Sequence, residues 1–251
     1  MNADTAWNVF LCGILDTAHA RANFVQRRAG PLLAARFTKP RAGTLVAFDE
    51  YFVNGVTPAP LLAALADDAH LAAHYVTVLC DAAGVWNADA LPGYRVSVSE
   101  RLMARPLAAL PLPEPTPSVH IVRTQDEATW LNEHDPDNTA WIALLNLADP
   151  AVTHAYIAVD GRPAARGASF RCGDALYMSA VHTSAAYRRR GLARALMLRL
   201  FAEGAAGGAT WSVLTSSVAG EALYTGLGYT VLGTLLVFAP VDATPVDEAA
   251  T

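Results

Sequence analysis

The 251-residue chain is short of several things, and each shortage removes a class of function. It has three cysteines, Cys12, Cys80 and Cys172, each alone in apolar surroundings and none at the spacing of a metal knuckle or disulfide framework. They are expected as separate buried thiols of a reducing, cytoplasmic compartment. No apolar run reaches the roughly 18–20 residues that span a bilayer, because charges interrupt every candidate. The apolar fraction of 53% is high, but alanine supplies much of it. In residues 1–24, Asp4 stands where a signal peptide would carry a basic residue, so a helix is expected there.

Positive charge is also scarce. Lys and Arg number 18 against 23 Asp and Glu, a net charge of −5. Basic clustering is confined to Arg27-Arg28 and Arg188-Arg189-Arg190, without the basic face of a nucleic-acid binder. Neither nucleic acid nor a membrane is an expected partner. The histidines outside position 182 (His19, His70, His74, His120, His134, His154) show no ligand spacing, so no metal is expected. There is no G-x-x-x-x-G-K-[ST] and no G-x-S-x-G. Gly226-Leu227-Gly228 follows a helical pattern and precedes a strand, the wrong order for a dinucleotide turn.

What is present concentrates in residues 174–229. Residues 174–181 are mostly apolar and long enough for one buried strand. From Leu192 the apolar residues recur at Leu196 and Leu200, with Met197 and Phe201 beside them, which is helical spacing. Gly204, Gly207 and Gly208 stop that helix, and Trp211 opens a second apolar strand. Between strand and helix lies Arg188-Arg189-Arg190-Gly191. A strand that enters a helix through glycine leaves backbone N–H groups unpaired, and these with the helix dipole suit a phosphate. Gly191 lets the main chain approach such an anion, and the arginines add fixed positive charge. Taken alone, the same arginines could equally be a solvated patch.

They do not stand alone. Arg188-Arg189-Arg190-Gly191-Leu192-Ala193 fits R/Q-x-x-G-x-G/A, and this resembles the pyrophosphate motif of the GNAT superfamily of acetyl-CoA-dependent N-acetyltransferases. Val181-His182-Thr183 resembles the end of the family's fourth strand, whose backbone meets the pantetheine arm. Residues 217–229, SVAGEALYTGLGY, resemble the later family motif, a helix bearing a tyrosine and ending in L-G-F/Y. Ser217 and Gly220 depart from the Asn and Ala of many members. The resemblance covers residues 118–240. It implies acetyl-CoA as co-substrate, held by Val181, His182, Thr183, Arg188, Arg189, Arg190, Gly191, Leu192, Ala193, Arg194, Ser217, Gly220 and Tyr224.

In chain order, residues 106–117 (PLAALPLPEPTP) carry five prolines and read as a linker. They split the chain into halves, residues 1–105 and 118–240, with a tail at 241–251. The halves show an internal echo. From Tyr94 to Tyr229 is 135 positions, and the same offset places Leu61 on Leu196, Leu65 on Leu200, Val78 on Val213 and Leu79 on Leu214. At that offset VNGVTP, without arginine, falls on the basic turn, and Asp89 falls on Tyr224. A tandem is expected, with a degenerate first half kept for architecture or substrate binding.

The second half opens with a strand at residues 118–124, then a helical turn or two at 125–133 and a polar loop from His134 to Asn138. Residues 153–159 and 162–171 form a hairpin about Asp160-Gly161. The expected class is α/β (α+β), a mixed, mostly antiparallel sheet flanked by helices, in two GNAT-like halves.

The family's reaction needs a neutral amine, donors for an oxyanion and a proton for the departing thiolate. Tyr224 is the acid candidate, since a phenol stays protonated at neutral pH. A packed tyrosine is the alternative. His182 is the base candidate, histidine being the side chain whose unperturbed charge change falls near physiological pH, with a strand-capping histidine or a water relay as alternatives. A backbone N–H near Val181 would meet the oxyanion. The expected activity is acetyl transfer to a primary amine, on a small molecule or a protein. A CoA-binding regulator or sensor with vestigial catalysis is the first alternative, and an interaction module the second. A monomer is expected, with a homodimer as the alternative.

Overall fold

The computed structural model describes residues 1–20, 24–29, 32–41, 44–80, 84–107, 118–137, 142 and 147–242. Most of the expected linker, Asn138 of the polar loop and all but the first two residues of the tail lie outside them. In chain order the elements begin with α1 (Ala3–Ala20), β1 (Phe24–Ala29), β2 (Leu32–Arg41), β3 (Thr44–Val53), α2 (Pro58–Asp67), β4 (His74–Cys80) and β5 (Tyr94–Pro106). There follow β6 (His120–Ile121), α3 (Gln125–His134), β7 (Val152–Val159), β8 (Arg162–Cys172), β9 (Ala175–Thr183) and α4 (Leu192–Ala206). The chain closes with β10 (Trp211–Ser216), α5 (Val218–Gly226) and β11 (Thr230–Pro240). Largely antiparallel strands flanked by helices are the α+β class expected from the sequence. No helix among the described residues is long and apolar enough to cross a membrane.

The residues gather into two compact units. The first holds Met1–Arg21, Met103–Thr215 and Gly220–Thr230, and the second Ala22–Leu102, Ser216–Ala219 and Val231–Thr251.

In the first unit the strand order is β5-β10-β9-β8-β7-β6, with β5 contributing its last residues. The β7–β8 turn has Asp160 at φ 51° and Gly161 at φ 74°, both left-handed as a two-residue hairpin with right-handed strand twist requires. Helix α4 buries Leu192, Leu196, Met197, Leu200 and Phe201, the residues at helical spacing in the sequence. Gly204 does not stop it; the helix runs on to Ala206 with Gly204 lying over the Leu176 side chain.

Adjacent strand residues point to opposite faces, and β9 shows the consequence. Leu176 meets α4 at Gly204, and Tyr177 meets α1 at Gly13, with Phe10 edge-on to the Tyr177 ring at 5.9 Å. Helix α1 is thus the cover of the second sheet face. It also corrects the cysteine expectation. Cys12 of α1 and Cys172 of β8 are joined in a disulfide, their Cα atoms 6.0 Å apart across 160 positions of sequence. Cys80, half-buried, is outside that bond. Local spacing carried no sign of the bond because the packing of α1 creates it.

In the second unit the order is β1-β2-β3-β4-β11-β5. β1–β2 and β2–β3 are antiparallel and β3–β4 parallel, the same sequence of pairings as β7–β8, β8–β9 and β9–β10. Leu61 and Leu65 of α2 pack with Tyr51, Val76, Val78, Trp86 and Phe238. Buried polar groups are paired. Asp49, with no exposed surface, accepts from Arg36 Nε and Nη2 at 2.8 and 2.9 Å and from the Leu71 N–H at 2.8 Å. His74 Nδ1 lies 2.9 Å from the Leu71 carbonyl and Nε2 lies 2.8 Å from the Tyr94 hydroxyl. A neutral ring satisfies both, donating to the carbonyl and accepting from the phenol. Burial pushes its pKa down.

Two predictions follow from this packing. Gly13→Ala gains about 1 kcal/mol of helix propensity but loses about 1–3 kcal/mol by driving a methyl into the rigid Tyr177 ring. The expected outcome is a lower Tm; a raised Tm would mean that α1 does not pack at Gly13. For His74, an unfolded imidazole titrates near 6.5 and the folded one lower, so the unfolded chain takes up the proton first. Its stabilising contribution is complete above the unfolded value and is lost as pH falls through the folded one. Urea midpoints should fall from about pH 8 to about pH 5, more steeply in wild type than in His74→Gln.

Candidate active site

The site is built where β9 stops pairing. β9 and β10 are parallel through Trp211↔Ala175, Ser212↔Leu176 and Val213↔Tyr177, and no described pair follows, although β9 continues to Thr183 and β10 to Ser216. The cause lies on the other side of β9. Against β8 its register shifts, so that Ala168 faces Ser179 and Arg166 faces His182. Two residues of β9, Ala180 and Val181, therefore oppose Gly167 alone, which is a bulge. Ala180 takes φ 53°, a left-handed value that an alanine adopts only where its surroundings fix it. Arg166 Nη1 donates to the Ala180 carbonyl at 3.0 Å. Gly167 leaves room for Leu196 of α4, which would lie 2.6 Å from any Cβ there.

Helix α3 brings acidic groups to the same place. Thr124 and Glu127 form a capping box that fixes its start. The Asp135 N–H closes its end on the Leu131 carbonyl, and the Asp137 N–H then turns back on Asp135 Oδ1 at 3.3 Å. This turn faces the two carboxylates to an opposed pair on β8 and β9. Arg166 Nε donates to Asp135 Oδ2 at 3.3 Å, and His182 Nε2 lies 2.6 Å from Asp137 Oδ2. The His182 hydrogen bond, joined by one from the Ser184 hydroxyl, holds the Asp137 carboxyl below its ordinary pKa. Burial lowers the pKa of the Arg166 guanidinium.

Beyond Thr183 the chain makes a short 3-10 turn (Ala185–Tyr187) and enters α4. Arg189 and Gly191 are left-handed, at φ 63° and 77°. Gly191 is the N-cap and no side chain caps the helix, so the N–H groups of its first turn keep no intrahelical partner. Among the described residues nothing lies within 4 Å of where a Cβ on Gly191 would project. Arg188 Nε donates to the Thr183 carbonyl at 3.0 Å, and the Arg190 guanidinium stacks 5.4 Å from the Tyr187 ring centre. Arg189 is exposed. The Thr183 hydroxyl is buried without a hydrogen-bond partner among the described residues. Uncapped donors, open space, guanidinium charge and an orphaned hydroxyl fit a bound pyrophosphate.

Residues 114–229 match the family model described as acetyltransferase (GNAT) family. The chain carries a GNAT acetyltransferase domain. It is similar along most of its length to solved GNAT structures. One, a GCN5-related N-acetyltransferase from Kribbella flavida, is 18% identical with a TM-score of 0.61, covering 94% of this chain and 96% of that one. A GNAT-family protein from Novosphingobium aromaticivorans is 21% identical, TM-score 0.57, covering 95% and 97%. A third, from Sphaerobacter thermophilus, is 17% identical, TM-score 0.56, covering 87% and 79%. At these identities the likeness is one of fold. No curated protein matches the chain. As a GNAT domain it is an acyltransferase, of a family that generally uses acetyl-CoA and an acceptor.

Within this GNAT domain the structure brings Val181, His182 and Thr183 to the end of β9 and Arg188–Arg190 to the turn. Gly191, Leu192, Ala193 and Arg194 stand at the start of α4. The Leu192 side chain is buried in the core, so only its backbone faces the turn. Arg194 Nη1 donates to the Gly226 carbonyl at 3.1 Å, tying the start of α4 to the end of α5. Gly220 and Tyr224 are on α5, while Ser217 precedes that helix in the second unit. Tyr224 is half-buried against the core, its ring 5.9 Å from and nearly perpendicular to that of Tyr229. Tyr229 bonds Ser212 Oγ at 2.5 Å, and burial pushes its phenol far up. Arg105, buried, donates to the Leu227 carbonyl and lies over Phe201, closing the end of α5.

Asp135, Asp137, Arg166 and Arg105 were not singled out from the sequence. An Asp-Pro-Asp run directly after a helix end was the one visible signal for the first two.

Proposed function

We propose that the protein transfers an acetyl group from acetyl-CoA to a primary amine, on a small molecule or on a protein N-terminus or lysine. The observation that carries the reading is the parting of β9 from β10 at the Ala180–Val181 bulge, directly before an uncapped, arginine-bearing helix start. The N–H groups of Leu192, Ala193 and Arg194 with Arg188, Arg189 and Arg190 would hold the pyrophosphate. Thr183 and the backbone from Val181 would hold the pantetheine arm, with Gly220 completing the set. Bound acetyl-CoA supplies an activated thioester carbonyl.

The remaining steps belong to this chain. His182 takes the proton from the attacking amine. The Val181 N–H, on the bulge, donates to the oxygen where negative charge develops. The Tyr224 hydroxyl gives its proton to the departing sulfur.

The first half of the chain is read as a degenerate copy, residues 1–105, joined through 106–117 to the catalytic half 118–240. Leu61 and Leu196, Leu65 and Leu200, Val78 and Val213 are buried equivalents at the 135-residue offset, and the order of strand pairings agrees. The copy lacks the parting. β3 and β4 stay paired to Val53↔Val78, where β3 ends.

Acetyl-CoA at about a hundred times its Kd should stabilise the protein by roughly 2.7 kcal/mol, seen as a rise in Tm. Gly191→Asp tests the turn, because Asp tolerates a left-handed backbone while adding a negative charge at the anion site. Titration calorimetry should show acetyl-CoA bound at least about tenfold more weakly; unchanged affinity would remove the assignment. Tyr224→Phe should lower kcat at least about tenfold with acetyl-CoA affinity nearly intact. If kcat is retained, the tyrosine is a packing residue.

A further inference from the structure

Asp137 and His182 are 45 positions apart, yet their side chains make the shortest side-chain contact described at the bulge, Oδ2 to Nε2 at 2.6 Å. We propose that Asp137 is a positioning residue that holds His182 in the tautomer carrying its proton on Nε2, leaving the Nδ1 lone pair as the base. This rests on the reading of His182 as the proton acceptor in acetyl transfer.

Three observations carry the inference. First, the carboxylate is ionised and acceptor-only, so the ring nitrogen facing it must be the N–H. An imidazole with a donor fixed at one nitrogen has its basic lone pair fixed at the other. Second, the carboxylate is itself held. Its residue's own N–H is turned back on Asp135, and Asp135 is anchored on Arg166. Third, both groups remain partly accessible, with side-chain exposures of 27% for His182 and 33% for Asp137. A pair that served only as a core strut would be closed to solvent. This one is open at the bulge, where a proton can enter and leave.

When His182 takes a proton on Nδ1, the ring becomes a cation with both nitrogens protonated, and the adjacent carboxylate offsets that charge. No proton passes to Asp137. The proton leaves from Nδ1 to solvent when the ring is regenerated. Arg166 stands across from His182 on β8, so its charge opposes the imidazolium, and Asp135 reduces that opposition.

The test uses the full chain labelled with 15N-histidine, the ring signal of His182 assigned by its absence in His182→Gln. Wild type should show the Nε2–H tautomer, and Asp137→Asn should lose its predominance. In parallel, acetyl transfer from acetyl-CoA is measured to n-propylamine, protonated near neutral pH, and to methoxyamine, already neutral there. Asp137→Asn should lower the n-propylamine to methoxyamine ratio of kcat about tenfold or more, with the KM for acetyl-CoA unchanged, and Asp137→Glu should recover part of it.

A ring that keeps the Nε2–H form in Asp137→Asn, or an unchanged ratio while His182→Gln lowers it, overturns the positioning role and leaves His182 as the base. An unchanged ratio in His182→Gln as well overturns the base itself. If wild type acetylates neither amine, the tautomer alone decides.

Discussion

A two-against-one mismatch between β9 and β8 is the constraint on which the geometry at the end of β9 depends. Ala180 and Val181 must fit opposite Gly167, and the strand does so by taking a left-handed residue at Ala180. A bulge bends its strand and increases local twist. That bend carries the end of β9 off β10, so two strands that share a ladder at Tyr177 no longer share one at Thr183. Strain of this kind persists only where neighbours over-determine it. Here Arg166 holds the Ala180 carbonyl from β8, while Leu196 packs over Gly167 from α4.

The packing on either side of β9 makes that arrangement rigid. Leu176 and Tyr177, adjacent in sequence, each fill the space left by a glycine, one on α4 and one on α1. Close approach of a helix axis to a sheet needs such a residue, because a methyl would meet the side chain below it. The disulfide from Cys12 to Cys172 then ties α1 to the strand that faces the bulged one. At the other end, Arg105 and Arg194 both donate to carbonyls at the end of α5, Leu227 and Gly226. A helix C-terminus carries partial negative charge, so two guanidinium groups there are favourable. They also fix the helix that bears Tyr224.

The second unit shows what the same order of pairings looks like without these devices. Its parallel pair stays joined until β3 ends, and α2 begins at Thr57-Pro58 with no arginine before it. Two of its buried polar side chains are paired within the unit instead. Asp49 with Arg36, and His74 with Tyr94, satisfy one another inside the unit, an arrangement that fixes a structure rather than presenting groups to a ligand.

The elements that carry the candidate site were legible because their signals are local. Helical spacing from Leu192 to Phe201, the glycine of the turn and Asp160-Gly161 of the hairpin act over a few residues, and short-range physics decides them. Val181, His182, Thr183 and the arginines could therefore be placed together from their order alone. Contacts between residues far apart were not legible. The strand at residues 118–124 shrank to His120–Ile121, where pairing with β7 is all that defines it. Cys12 with Cys172, β11 with β4, and Asp137 with His182 join positions that no local pattern relates. The sequence by itself determined the succession of strand, turn and helix from Ala175 to Ala206, since periodicity and backbone freedom are properties of neighbouring residues. Only the tertiary structure decided which carboxylate faces His182 and where β9 leaves β10, because both depend on the register between strands and the seat of a helix end.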